Sequence, residues 1–217
     1  MKTDKQLQSD VIAELNWERS INANKIGVEV NQGVVTLAGH VDSYSDKINA
    51  ESAAQRVAGV KALVVEMDVN ILGFGKRTDA DIANSAKNIL QWTSFLHADA
   101  INVMIENGWI TLTGEVEWNY QREATATSLR YLPGVTGLTN KISVNPKVSV
   151  GEVRADIETA IKRQALKDAS KIDVGIQGSE VTLSGTITSW PERELIKQSA
   201  WNTPGVMKVI DKMSFGI

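Results

Sequence analysis

Apolar and polar residues alternate in three short segments spread along the chain. Each has an apolar residue at every second position: Ile26, Val28 and Val30, then Ile101, Val103 and Ile105, then Ile172, Val174 and Ile176. A period of two is typical of a β-strand with one buried face. A polar turn and a second alternating run follow each segment, and the turn Asn107-Gly108 is a strong hairpin signal. The pattern therefore predicts three β-hairpins.

The second strand of each hairpin carries nearly the same phrase. It reads GVVTLAGHV from residue 33, GWITLTGEV from residue 108 and SEVTLSGTI from residue 179. A glycine within the phrase and a Gly-Val pair after it recur together, at Gly39 and Gly59, Gly114 and Gly134, and Gly185 and Gly205. Both glycine series are spaced by 75 and then 71 residues. Two markers with equal spacing identify three repeats of one module.

A helix is predicted before each hairpin. Apolar residues there follow helical spacing, at Leu7, Val11 and Leu15, at Ile82, Ala86 and Leu90, and at Val153, Ile157 and Ile161. Asp79 or Asp81 is the predicted N-cap of the second of these helices, and Ser149 that of the third. The first two helices end near Trp17 and Trp92, where the third copy has Arg163.

A second helix is predicted after each hairpin. Its inward stripe is made of small residues, such as Ala50, Ala53 and Ala54, which suit close packing on a sheet. Glycines end these helices, at Gly59, Gly134 and Gly205. A third strand then closes each module, and it should run parallel to the second because a helix crosses between them.

The predicted fold class is α+β. It consists of three tandem αββαβ modules, each a mixed three-stranded sheet with two helices on one face. The modules are expected at residues 1–70, 79–145 and 149–217, with linkers at 71–78 and 146–148. Gly39, Gly114 and Gly185 lie on the inward face of their strand, where a missing side chain lets a helix approach or marks a bulge.

Composition excludes several classes of function. The chain of 217 residues has a formal net charge of −3 and a pI near 5.5, so it lacks the basic footprint of a general nucleic-acid binder. It has no cysteine, which excludes disulfides and thiolate metal sites. Its first residues lack the apolar core of a signal peptide, and no apolar run is long enough to span a bilayer. A cytoplasmic protein is expected on that basis, or a periplasmic one if the native start was replaced.

Residues for catalysis or metal binding do not recur among the modules. The two histidines are His40 and His97, and neither has a histidine at the matching position of another copy. No HExxH-type grouping and no recurring carboxylate pair is present. The segment Gly73-Phe74-Gly75-Lys76 lacks the spacing of a phosphate-binding loop and is interpreted as a linker. The prediction is a protein without catalytic residues, cofactor or metal.

Aromatic residues next to cations do recur, in the loop between the second strand and the second helix. This group comprises Tyr44 with Lys47, Trp118 and Tyr120 with Arg122, and Trp190 with Arg193. Such pairs suit a lipid interface, where tryptophan rings are favoured and cations meet anionic headgroups. The other interpretation is that these rings close the end of the core or pack on the next module. Trp109 and Trp201 are expected to pack between modules.

The whole pattern resembles the BON domain, a bacterial osmotically inducible and nodulation domain. The resemblance rests on the Val-Thr-Leu-x-Gly-x-Val strand, the loop 188–194 and the ending 200–206, which are best matched in the third copy. It implies a transport-associated or envelope-stress protein with contact to phospholipid. The leading hypothesis is therefore a non-enzymatic binding or scaffold protein at an anionic phospholipid surface, linked to osmotic or envelope stress. The alternative is a soluble module for protein partners or for sensing a small ligand or ion.

Overall fold

The structure is a computed structural model that describes residues 2–71, 73, 76–93, 100–145, 172–203 and 205–216. Module one contains, in order, α1 (Asp4–Trp17), a 3-10 turn (Ala23–Lys25), β1 (Ile26–Asn31), β2 (Val34–Val41), α2 (Tyr44–Arg56) and β3 (Ala62–Val69). Module two contains α3 (Asp79–Trp92), β4 (Ile101–Glu106), β5 (Trp109–Val116), α4 (Asn119–Arg130) and β6 (Gly137–Val144). Module three contains β7 (Ile172–Gln177), β8 (Glu180–Ile187), α5 (Trp190–Trp201) and β9 (Lys208–Phe215). The helix predicted over Val153, Ile157 and Ile161 lies outside the described residues.

Each module has its own mixed three-stranded sheet. The orders are β1-β2-β3, β4-β5-β6 and β7-β8-β9. In module one, β1 and β2 pair antiparallel with Ile26 opposite Gly39, while β2 and β3 pair parallel with Leu37 opposite Val65. Module three repeats this register, with Ile172 opposite Gly185. The predicted α+β fold is confirmed.

By its contacts the chain divides into two compact units. One contains residues 1–92, 103–111 and 126–139, and the other contains 93–102, 112–125 and 140–217. The first unit includes all of module one. The described part of module three lies in the second.

The cores follow the predicted stripes. In module one the stripe of α1 is buried at Leu7, Val11 and Leu15, and β2 buries Val35 and Leu37. The side of α2 that faces the sheet is made of alanines without accessible surface, at Ala50, Ala53 and Ala54. Small residues let the helix lie close to the strands. The second helix of module three uses Ile196, Ser199 and Ala200 in the same way.

The repeat glycine is required by a backbone carbonyl. Gly39 has a φ of 132° and Gly114 a φ of 133°, which side chains rarely tolerate. A Cβ at Gly39 would collide with the carbonyl oxygen of Lys25, and one at Gly114 with that of Ala100. The interpretation that a helix approaches at this point is therefore wrong. The close neighbour is the residue that leads into the first strand of the same hairpin.

An aspartate ties the first helix of modules one and two to their hairpin turns. The carboxylate of Asp4 accepts hydrogen bonds from Gln32 N and Gly33 N, at 2.8 and 3.1 Å. Asp79 does the same for Asn107 N and Gly108 N, at 2.9 and 2.8 Å. Module three has Val150 at the matching position of its sequence.

The predicted N-cap of α3 is wrong. The hydroxyl of Thr78 accepts from Asp81 N at 3.2 Å, and the Asp81 carboxylate accepts from Thr78 N at 3.0 Å. Thr78 is thus the capping residue and Asp81 its reciprocal partner. Asp79 lies between them and holds the hairpin turn. The predicted cap Ser149 lies outside the described residues.

Candidate functional site

The start of the second helix is the candidate site, because it carries the recurring aromatic residues and cations. In modules one and three a serine caps this helix: Ser43 Oγ accepts from Asp46 N at 3.1 Å, and Ser189 Oγ from Glu192 N at 3.3 Å. Trp118 occupies the matching position of module two. There Gln121 Oε1 accepts from Trp118 N at 2.9 Å. Trp118 is therefore one residue ahead of Tyr44 and Trp190, which open their helices.

In module three the site is an internal cluster. The ring of Trp190 lies 5.3 Å from that of Phe215, between centroids, and the guanidinium of Arg193 lies 5.4 Å from the Trp190 ring. Arg193 Nε donates to Asp211 Oδ2 at 2.7 Å, and Met213 N donates to Asp211 Oδ1 at 3.0 Å. Burial favours a higher pKa for Asp211, but these donors outweigh burial and leave the pKa lowered. Arg193 is thus held within its own module.

In module two the corresponding arginine faces module three. Arg122 has its guanidinium carbon 4.4 Å from the centroid of Trp201, which is a cation–π contact. The strand residue that matches Asp211 is Asn140. Its Oδ1 accepts from Ile142 N at 3.1 Å, and its Nδ2 donates to the Arg122 carbonyl at 3.1 Å. Arg122 bonds instead to the neighbouring Glu123 carboxylate, from Nε at 3.2 Å, and its guanidinium lies on Trp201.

In module one the site contacts module two. The Leu138 backbone N–H donates to the Tyr44 hydroxyl, and Arg130 lies close to both Tyr44 and Glu51. Burial raises the pKa of both Tyr44 and Glu51, and the charge of Arg130 opposes that rise. Lys47 Nζ donates to the Met67 carbonyl at 2.8 Å, inside module one. Tyr44 thus satisfies a backbone donor of β6, an edge strand of its sheet.

The seven predicted contact residues therefore lie in three different surroundings. Six are partly buried: Tyr44, Lys47, Trp118, Arg122, Trp190 and Arg193. Only Tyr120 among the seven is largely exposed, at 54%. Packing between modules is confirmed for Trp201. The ring of Trp109 covers Gly137 and its Nε1 donates to Thr139 Oγ1 at 2.9 Å, both within module two, so packing between modules stays a prediction for this residue.

Within the described part of the chain, the most exposed large apolar side chains were not among the predicted contact residues. Trp17 is 81% exposed and Trp92 is 88% exposed. They occupy the same repeat position, at the last residue of α1 and of α3. The spacing along the helix could have predicted this exposure. Trp17 lies two residues after the buried Leu15, which places it about 200° around the helix from Leu15. Repetition at one position makes both tryptophans candidates for an external contact.

The described residues contain neither a cluster suited to a metal ion nor a helix that could span a membrane. No group of three or more His, Asp or Glu side chains suits a metal there. His40 lies on β2, while His97, Phe74 and linker 146–148 fall outside the described part of the chain. Within the same part, every helix is too short or too polar to cross a bilayer.

An open cavity of about 390 Å³ lies in the first unit, beside the Asp79 turn. Its wall includes Lys76, Arg77 and Gly134. The turn N–H groups of Asn107 and Gly108 already bond to Asp79. These two N–H groups are therefore not available to bind an anion in the cavity.

Comparison with known proteins gives one strong family match. The model of the BON domain matches residues 3–71, 78–146 and 149–216. The "21 kDa hemolysin" of Actinobacillus pleuropneumoniae is 30% identical over 121 residues, which are 53% of this chain and 62% of that protein. The matched chain thus spans less than two thirds of its relative.

Two of the matching solved structures are distant in sequence. One is CdsD, a structural protein of the type III secretion system of Chlamydia trachomatis, at 15% identity and a TM-score of 0.27 over 96% of this chain and 91% of that chain. Another is the PrgH periplasmic domain, at 14% identity and a TM-score of 0.23 over 94% of this chain and 100% of that chain.

Proposed function

This chain belongs to the BON domain family, and from that membership and its exposed tryptophans we propose that it is a non-enzymatic protein that binds phospholipid surfaces. The observation that carries the proposal is the pair Trp17 and Trp92, at one repeat position and each more than four-fifths exposed. Tryptophan is the side chain best suited to the boundary between water and lipid, because its ring is apolar and its indole N–H is polar. The similarity to a protein named as a hemolysin also supports a function at phospholipid surfaces.

Burial of the rings supplies most of the binding free energy in this proposal. The net charge of −3 gives no general attraction to anionic lipid. Local cations contribute at the contact itself. Arg19 is exposed two residues after Trp17, and a cation this close to an anionic surface adds about 1 kcal/mol. Binding should therefore strengthen with anionic lipid and weaken moderately with salt.

Co-sedimentation with vesicles tests this function. Wild-type protein should bind vesicles of phosphatidylcholine with phosphatidylglycerol, and bind phosphatidylcholine alone more weakly. Trp17→Ala and Trp92→Ala should each reduce binding severalfold, and the double variant should abolish it. Tyr131→Ala is the control, since Tyr131 is also an exposed aromatic residue (57%) but lies at another repeat position. Absence of binding at low salt would remove the proposal.

Protein assembly is the second candidate function. It is favoured by two contacts: Tyr44 of module one bonds to Leu138 of module two, and Arg122 of module two lies on Trp201 of module three. Aromatic residues and arginine are the types that concentrate binding energy at protein interfaces. If vesicles fail to bind the protein, light scattering of the wild type tests this second function directly.

A further inference from the structure

The sheet of module one has a helix-covered face and an outer face. The covered face carries Val35, Leu37 and Met67, which are buried. Side chains alternate along a strand, so the residues between these point the opposite way. The strand register places the outward residues in rows across the sheet: Asn31, Val34 and Ala62; Glu29, Thr36 and Val64; Gly27, Ala38 and Glu66; His40 and Asp68. We call these residues the open face of module one.

The centre of the open face is partly apolar and has low relief. Val34 is 37% exposed and Val64 is 40% exposed, and they lie on neighbouring strands. The side chains around them are small, at Thr36, Ala38 and Ala62. Small side chains allow another element to pack close to the strands.

Carboxylates border this centre on both edge strands. Glu29 lies on β1, and Glu66 and Asp68 lie on β3. All three are exposed, and none has a hydrogen bond or ion pair within the described part of the chain. The open face itself contains no lysine or arginine. It therefore presents three unpaired negative charges around an apolar centre.

The acidic border is particular to module one. The position of Glu66 carries Lys141 in module two and Lys212 in module three. The position of Asp68 carries a serine in both of these modules. The shared fold therefore does not require carboxylates at these two positions, which leaves them available for a contact.

We propose that the open face of module one binds a basic amphipathic helix of a partner protein. Three strands spaced by about 4.8 Å make a face about 10 Å wide, which is about the diameter of one helix. A helix lying along β2 would place its apolar stripe on Val34 and Val64. Lysines or arginines beside that stripe would then reach the carboxylates on both edges, while their stems cover apolar surface. This inference does not depend on membrane binding.

The charge of the open face disfavours other occupants. A second copy of the same face would bring like charges together, which is costly at an interface. An anionic lipid surface or a nucleic acid would be repelled for the same reason. A basic partner is the one that gains from all three carboxylates.

A synthetic peptide tests the contact. The probe is a fluorescein-labelled amphipathic helix of leucine and lysine, and the matched probe has glutamate in place of each lysine. Fluorescence anisotropy with the full chain at low salt should show binding of the lysine peptide only, and salt should weaken it. The double variant Glu29→Lys with Glu66→Lys should bind the lysine peptide about tenfold more weakly, since two attractions become repulsions. It should bind the glutamate peptide instead.

The matched control makes the same change of net charge elsewhere. Glu106→Lys with Asp173→Lys replaces exposed strand carboxylates of modules two and three. This variant should bind the lysine peptide almost as tightly as wild type does. An equal loss in both double variants would show attraction to the charge of the whole protein, and would overturn the proposal.

Two further measurements locate the contact. Val64→Ser should weaken binding severalfold without a change of charge, because it removes apolar surface from the centre of the face. In wild-type protein, the lysine peptide should shift backbone amide resonances of residues 27–40 and 62–68. Circular dichroism confirms that each variant is folded. No binding of the lysine peptide at low salt, or amide shifts confined to other residues, would overturn the proposal.

Discussion

Modules two and three place an arginine at the same point of the second helix and use it differently. Arg193 bonds to Asp211 and is retained inside module three, whereas Arg122 lies on Trp201 of the neighbouring module. The strand residue opposite the arginine is an aspartate in one module and Asn140 in the other. Both strand side chains still accept from the backbone N–H two residues later. The difference between a carboxylate and an amide is thus associated with an internal contact in one copy and an external contact in the other.

This comparison shows how a repeat can acquire an interface. An arginine beside a carboxylate at 18% exposure is held by a charge-assisted hydrogen bond. If the carboxylate becomes an amide, that attraction is lost and the guanidinium can bind a ring outside the module. One substitution on a strand therefore changes what the helix offers to its neighbour.

The largest effect is expected from Asp211→Ala. It leaves the partly buried Arg193 without its carboxylate and Met213 N without its acceptor, so the free energy of unfolding should fall by about 2 kcal/mol. Urea unfolding of the whole chain measures the change. Asp173→Ala is the control, because Asp173 is an exposed strand aspartate of the same module. Equal effects of the two substitutions would contradict the proposed role of the ion pair.

A smaller effect, about 1 kcal/mol, is expected from Asp211→Asn, which keeps the acceptor but removes the charge. It should depend on pH, because the pKa of Asp211 is lowered in the folded state. Such a group stabilises the fold above its unfolded pKa of about 3.9 and loses this contribution as pH falls through its folded pKa. The advantage of wild type over the variant should therefore be constant near pH 6 to about pH 5 and shrink below about pH 4. A difference that persists unchanged into acid would show that the charge is irrelevant.

The smallest effect concerns the external contact of module two. A double-mutant cycle with Arg122→Ala and Trp201→Ala should give a coupling of about 0.5–1 kcal/mol, typical of a partly exposed cation–π pair. In the background of Asn140→Asp the coupling should fall towards zero, because the new carboxylate attracts Arg122 into its own module. Thermal or urea unfolding supplies the four stabilities. A coupling that survives Asn140→Asp would show that the strand residue does not direct the arginine.

The repeated elements were predictable because their signals are local. Alternation at Ile26, Val28 and Val30 and the common strand phrase determine strands within a few residues, and a helix between two strands requires a parallel pair. The repeat showed that glycine is required at position 39, but the sequence did not show the physical reason for it. The carbonyl it approaches belongs to Lys25, across the hairpin, and only the register brings the two together.

The candidate site was harder to predict because its contacts are not local. The sequence placed Arg122 and Arg193 correctly at one point of the repeat, whereas Trp118 lies one residue ahead of the position of Tyr44 and Trp190. It did not show that the partner of the arginine is a strand residue 18 positions later, as the structure shows for Asp211. Exposure of Trp17 and Trp92 was within reach of the sequence, since helix phase alone directs Trp17 away from Leu15.

The aspartate that holds the second hairpin turn bears on how the protein ages in solution. Asn-Gly is the dipeptide most prone to deamidation, a reaction in which the glycine nitrogen attacks the asparagine side chain. Here the nitrogen of Gly108 is engaged by Asp79 at 2.8 Å, and Asn107 is fixed at a φ of 52°. Stored protein should therefore keep Asn107 intact far longer than an unfolded peptide of the same sequence, and Asp79→Ala should hasten the appearance of acidic species on ion exchange.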